Sequence, residues 1–351
     1  MERADISLTT PELPRVGPPT RSARRPAALH LAPEADGSAT QGDAALSVAD
    51  VADLAERLRV SVRRGVHLAP AVLDIVLATL LAEGHLLVED HPGVGKTQLA
   101  RTLAGSLATR FSRVQATVDL LPSDIVGATI WRPETCSFVF RPGPMFAHVV
   151  LVDELNRTTP KTQSGLLEAM QERQVTVDGD SHPLPCPFIV VATQNPSAGY
   201  DGTFALPPAQ LDRFLARVSL GYPDPEQEVA LLIGGVSDIG PVSNPAELWS
   251  AQKAVRSVHA SNALARYVVS LLAATRQHPF VEVGASPRAG MLLLGAARAH
   301  AAIDGREFVV PDDIQAMVPH VLGHRLQLLA GAPDGAAENV VADILAAVPA
   351  R

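Results

Sequence analysis

Asp90-His91-Pro92-Gly93-Val94-Gly95-Lys96-Thr97 brings small residues, a lysine and a hydroxyl into one short run, and that set suits the grip of a phosphate chain. Gly93 and Gly95 let main-chain N–H groups come close to phosphate oxygens. Lys96 supplies positive charge for the β- and γ-phosphates, and Thr97 supplies a hydroxyl for Mg2+. Pro92, Gly93, Val94, Gly95, Lys96, Thr97 and Gln98 therefore form the candidate nucleotide-binding set, with ATP and Mg2+ as the expected ligands. The usual first glycine of the G-x-x-x-x-G-K-T pattern is Asp90 here. That glycine serves backbone shape and not phosphate contact, so binding is expected to survive the change.

Further along, Asp153-Glu154 ends an apolar run, as a Walker B motif does. Hydrolysis needs one acid that helps hold the metal and another that activates water; adjacent residues at a strand end can serve both. Asp153, with Thr97, is the expected Mg2+ ligand, and Glu154 the expected general base. Asn195, in Ala192-Thr193-Gln194-Asn195-Pro196, puts a neutral amide at the next strand tip, where it can orient the attacking water. Arg213 and Arg288 could stabilise charge developing on the transferred phosphoryl group. Either also reads as a surface arginine or, for Asn195, an Asn-Pro turn.

These side chains need strands that end beside one another. Leu86-Leu87-Val88 reads as a buried parallel strand, followed by the phosphate loop and by a helix whose N-terminus favours anions. Strands are expected at 111–116, 146–154, 188–193 and 216–220, alternating with helices, which predicts a parallel sheet with helices on both faces. Two helices should precede them: one opened by Ser47 and Asp50 as a capping box, one with Pro70 in its first turn. After Gly221-Tyr222-Pro223 the strand signals stop, and helices are expected at 225–236, 245–258, 262–277, 287–302, 311–322 and 335–348. The predicted organisation is a disordered tail over 1–45, an α/β nucleotide-binding domain over 46–222 and an all-helical lid over 223–351.

Composition narrows the function classes. With 29 Lys and Arg against 37 Asp and Glu, the net charge of −8 argues against a surface built throughout for nucleic acid. Cys136 and Cys186 lack metal-site spacing and are expected as small apolar fillers in a reducing compartment. No apolar run has the length of a membrane span and no signal core opens the sequence, so a cytoplasmic address is expected. His320 and His324, four apart, lack the intervening Glu of a zinc motif, and Gly323 suggests that the helix ends between them.

Taken together, the segments 89–97, 119–124, 140–144, 153–157, 166–175, 192–196, 211–214 and 285–289 resemble the MoxR family of AAA+ ATPases, in the family's order. The resemblance implies an α/β P-loop NTPase (AAA+) core followed by an all-helical lid domain, and a ring, usually a hexamer, with nucleotide between subunits. It implies sensor 1 for Asn195, an arginine finger for Arg213 and sensor 2 for Arg288. It further implies chaperone-like maturation of a metalloenzyme or complex, with a separate partner carrying a von Willebrand factor A domain. A nucleic-acid-translocating motor is the second class; the expected hairpin at 174–187 holds Asp178, Asp180 and His182 but no Lys or Arg, which makes nucleic acid unlikely. A nucleotide-dependent scaffold with little turnover is the third, and Glu154 speaks against it.

Overall fold

A computed structural model describes residues 46–195, 203–223, 225–234, 240–332 and 335–350. The tail expected over 1–45, and Pro196, lie outside them. Two helices come first, α1 (Val48–Gly65) and α2 (Pro70–Leu81). Ser47 accepts from the Asp50 N–H while Asp50 accepts from the Ser47 N–H, so the capping box forms. Then follow β1 (Leu86–Glu89), α3 (Lys96–Ser106), β2 (Phe111–Gln115), α4 (Pro122–Val126), β3 (Gly127–Arg132), β4 (Ser137–Pro142) and β5 (Val149–Asp153). After a tight turn at Leu155–Arg157 come α5 (Pro160–Glu172), β6 (Gln174–Val177), β7 (Asp180–Pro183), β8 (Ile189–Gln194), α6 (Pro208–Leu211) and β9 (Ala216–Val218).

Among the described residues the main sheet runs β2-β5-β8-β1-β9, every neighbouring pair parallel. Because successive strand side chains point to opposite faces, its apolar runs split between two cores. Leu86 and Val88 of β1 pack with α1, α2 and α3, whereas Leu87, Val150, Val152, Val190 and Ala192 pack with Leu166, Leu167 and Met170 of α5. Burial on both faces is why these strands read as continuous apolar runs and not as alternating ones. The parallel order puts the carboxyl ends of β1, β5 and β8 on one edge. Ligands of open α/β sheets sit at that edge.

The remaining chain forms α7 (Pro225–Gly234), α8 (Pro245–Ser257), α9 (Asn262–Gln277), β10 (Val281–Val283), α10 (Pro287–Ile303), α11 (Pro311–Leu322), β11 (Gln327–Leu328) and α12 (Ala336–Ala347). Beside the expected helices it carries one short antiparallel ribbon, β10 with β11. The described residues pack as one compact unit, and the first core continues from the sheet through Leu54, Leu58 and Leu77 into Leu271, Leu293 and Met317.

Two hairpins leave the α/β layer. β3 pairs with β4, and β6 pairs with β7 across the Asp178-Gly179 turn, where both residues have positive φ. The Phe140 ring stacks on His182 with centroids 3.8 Å apart and joins the two hairpins. The cysteines correct the sequence expectation: both are exposed and free. Cys136 lies in the β3–β4 turn and Cys186 beyond β7, where loops offer no apolar layer to bury them.

Candidate functional site

At the carboxyl edge of the sheet, a cleft of about 380 Å3 is lined by Pro92, Gly93, Gly95, Lys96, Thr97, Gln98, Arg113, Gln115, Asp153, Glu154, Thr193 and Asn195. The loop between β1 and α3 builds one wall. Gly93 and Gly95 adopt φ of +91° and +92°, which side chains disfavour, and Gly95 caps α3. A Cβ on Gly95 would also meet Val66 at 3.4 Å. Val94 sends its side chain into the apolar core, so it can offer a phosphate only its N–H.

Lys96 opens α3 and crosses the cleft. Its Nζ donates to the Asp90 carbonyl at 2.5 Å and to Asn195 Oδ1 at 3.2 Å. Partial burial draws the ammonium below its ordinary pKa, against the opposing pull of Asp90, Asp153 and Glu154. It is a point charge with, among the described residues, one N–H still free for an anion. Thr97 Oγ1 stands 3.5 Å from Asp153 Oδ2. A hydroxyl and a carboxylate are hard oxygen donors, the set that Mg2+ prefers, and they face the cleft where phosphate oxygens would complete the shell.

Glu154 follows β5 with φ +57° and ψ +47°, left-handed backbone for a residue with a side chain. Such a residue stores about 1 kcal/mol of strain, and strained residues cluster at working sites. Its N–H donates to Thr193 Oγ1 at 2.9 Å, and Thr193 Oγ1 donates in turn to Asp153 Oδ1 at 3.3 Å. One threonine on β8 thus touches the Asp153 carboxylate at the end of β5 and the backbone of Glu154 just beyond it. The Glu154 carboxylate also pairs with Arg157 at 3.0 Å and accepts from Gln115 Nε2 at 3.4 Å.

The structure brings together the loop residues, Asp153, Glu154 and Asn195; Arg213 and Arg288 do not line the cleft. Arg213 follows α6, and its Nη1 is buried without a hydrogen-bond partner among the described residues. Arg288 opens α10 and points its Nε at Asp212 Oδ2, 3.8 Å away. Sequence reasoning missed Arg113 and Gln115. Their signal was positional: polar residues at the carboxyl end of β2, beside the strand that carries the acids. Arg113 Nε donates to Asp153 Oδ2 at 2.7 Å and its Nη2 to Gln115 at 3.0 Å.

Elsewhere, the ligand-like groups are already occupied. His320 Nδ1 lies 3.1 Å from the Arg217 carbonyl and His324 Nε2 3.2 Å from that of Phe214, so the pair ties α11 and the turn after it to β9 and the segment before it. Ligand atoms of His300, Asp304 and Asp313 lie within 4.8 Å of one another, but Arg306 spans both carboxylates.

The ATPase family associated with various cellular activities (AAA) matches residues 85–216, and the AAA lid domain matches 273–344. YeaC of Bacillus subtilis is 47% identical over 279 residues, covering 78% of this chain and 87% of that protein. Chaperone MoxR1 of Mycobacterium tuberculosis is 39% identical over 285 residues, covering 78% of this chain and 75% of its own. A crystal structure from Cytophaga hutchinsonii, described as a candidate ATPase, superposes with a TM-score of 0.78 at 32% identity, covering 86% of this chain and 96% of that one.

Proposed function

This chain belongs to the MoxR family of AAA+ ATPases, and from that premise we propose that it hydrolyses ATP with Mg2+ to remodel or mature a client protein or metalloenzyme. The observation that carries the reading is the convergence on one cleft of a lysine, a hydroxyl, two acids with different partners and a neutral amide.

In this reading the N–H groups of the loop and the N-terminus of α3 bind the phosphates, with Lys96 holding their outer oxygens. Thr97 and Asp153 would hold Mg2+, which when bound neutralises charge on the β- and γ-phosphates. Glu154 accepts a proton from the attacking water, once its carboxylate leaves Arg157 or turns past it. Asn195, close to Lys96, orients that water without adding charge. Arg213 and Arg288 lie outside the cleft, which supports roles that need a neighbouring copy or a moved lid: Arg213 as a finger on the next protomer's nucleotide, Arg288 as the lid's contact. A homo-hexameric ring follows from that reading. A separate partner with a von Willebrand factor A domain and a cytoplasmic setting complete the proposal. Among the described residues no helix is long and apolar enough to cross a membrane.

The β6–β7 hairpin, acidic at Asp178 and Asp180, is unsuited to a phosphate backbone, so a protein client is favoured over a nucleic acid. Glu154→Gln is the test. ATP should still bind, while turnover falls by about a hundredfold or more. Undiminished turnover removes Glu154 from the chemistry, and weak single-stranded DNA binding at moderate salt separates remodeller from motor.

A further inference from the structure

Asp90 occupies a position where phosphate loops usually carry glycine, yet it is among the most connected side chains of the site. Its carboxylate is buried, with 5% of the residue exposed. Oδ2 accepts from Ser219 Oγ at 3.0 Å, Leu220 N at 2.7 Å and Gly221 N at 2.9 Å, and Oδ1 accepts from the His91 N–H at 2.8 Å. Residues 219–221 are the stretch through which the chain leaves β9 for the C-terminal helices. Next to this knot the His91 and Tyr222 rings stack, with centroids 6.4 Å apart and planes 14° from parallel.

The main chain of the same residue faces the other way, and its carbonyl receives Lys96 Nζ at 2.5 Å. Asp90 thus has one hand on the lysine and the other on the exit strand. Asp90 is not among the residues with positive φ, so an aspartate fits the loop without the strain that a glycine would be needed to relieve. Burial pushes the carboxyl pKa up, but the donors from Gly221, His91, Ser219 and Leu220 outweigh it and hold the group ionised. Hydrogen bonds to an ionised acceptor are about twice as strong as neutral ones, which makes the tie stiff.

We infer that Asp90 is a positioning residue that couples the phosphate loop to the hinge at Ser219-Leu220-Gly221, so that a pull on Lys96 moves the start of the helical lid. The inference deepens the ATPase reading and rests on it. A phosphate drawn onto the free N–H of Lys96 shifts the lysine against the Asp90 carbonyl. The carboxylate, bonded to three groups of one short segment, carries that shift to the hinge.

The test exploits the motif itself. Asp90→Gly restores the residue that the phosphate-loop pattern carries here, so the loop keeps its function while the tie is cut. Asp90→Asn is the conservative partner, because an amide oxygen can still accept from the three hinge donors. Affinity for a fluorescent ATP analogue, amide hydrogen exchange at Leu220 and Gly221 with and without that analogue, and steady-state kinetics are measured on full-length protein. In Asp90→Gly, affinity and KM should stay within about threefold of wild type. The two amides should exchange at least about tenfold faster and stop responding to nucleotide, and kcat should fall by about tenfold, the order expected for lost charge-assisted hydrogen bonds. Asp90→Asn should restore most of both. If Asp90→Gly folds poorly, Ser219→Ala gives the same readouts with one donor removed and should show a smaller loss in the same direction. Wild-type response of the hinge amides and wild-type kcat in Asp90→Gly overturn the coupling alone. Failure of wild type itself to bind the analogue overturns the coupling and the ATPase reading together.

Discussion

The Arg325 guanidinium, 3% exposed, reaches from the turn after α11 into the α/β layer and closes on Asp212: Nε lies 2.7 Å from Oδ1 and Nη2 3.0 Å from the Asp212 carbonyl. Nη2 also donates to the Phe214 carbonyl at 2.5 Å and Nη1 to that of Leu215 at 3.3 Å. Burial lowers the arginine pKa, and Asp212 pulls it back. The other Asp212 oxygen faces Arg288, so one carboxylate sits between two arginines of the C-terminal region.

Removing the buried arginine leaves several carbonyls without that donor and the half-buried Asp212 carboxylate with Arg288 alone, 3.8 Å away. Arg325→Ala should lower unfolding stability by about 3 kcal/mol or more, read as a shift in the urea midpoint. Arg325→Lys should recover little, because an ammonium lacks the planar fork. A midpoint within error of wild type would mean that water replaces the latch.

Arg113 holds Asp153 Oδ2, the same oxygen that faces Thr97. A side chain there competes with a cation for the carboxylate. Being 45% exposed, the arginine contributes no more than an exposed ion pair, on the order of 1 kcal/mol. Arg113→Ala should therefore reduce the Mg2+ concentration needed for half-maximal nucleotide binding, by up to about fivefold. A higher Mg2+ requirement would show that Arg113 helps bind the nucleotide instead.

Arg213 lies outside its own cleft, and mixing variants tests where it acts. Arg213→Ala alone should assemble but hydrolyse about a thousandfold more slowly, and Glu154→Gln alone should also be inactive. Mixed rings should regain part of the activity, because some interfaces join an intact Arg213 to a cleft with an intact Glu154. Mixtures as inactive as the parents would place Arg213 in its own protomer's chemistry.

His85 is buried, its Nδ1 accepts from the Val190 N–H at 3.0 Å and its Nε2 faces the Met170 carbonyl at 3.1 Å. Burial drives its pKa to about 4, and burial with the Arg325 and Arg217 charges drives His324 well below 6.5 as well. Both are neutral when folded and titrate near 6.5 when unfolded, so the unfolded chain binds more protons as pH falls below 6.5. Their contribution is complete above pH 6.5 and is lost as pH falls below it, down to about 4 for His85, at up to about 1.4 kcal/mol per pH unit. Asp313, lowered to about 2 by Arg306, His300 and the Val310 N–H against its own burial, keeps its contribution through that window. Urea midpoints at pH 7.5, 6 and 5 should fall in that order; a flat profile would mean that the two rings become protonated without unfolding.

What could be read along the chain was local. Gly93, Gly95, Lys96 and Thr97 announce a phosphate loop because the backbone conformations and charges it needs lie within a few residues. The apolar runs at Leu86-Leu87-Val88 and Val149–Val152 announce buried parallel strands because both of their faces are covered. The capping residue Ser47 marks a helix start for the same short-range reason. Asp90 was read as a missing glycine, since its partners stand some 130 residues later. Arg113 looked like an ordinary strand arginine until the order β2-β5-β8 set it beside Asp153, and the cysteines looked apolar until their loops left them exposed. Residue types and spacing along the chain determine which groups form a candidate phosphate site, because such sites are built from short segments. Only the tertiary structure decides which distant charge faces which, since strand order and helix packing set those distances.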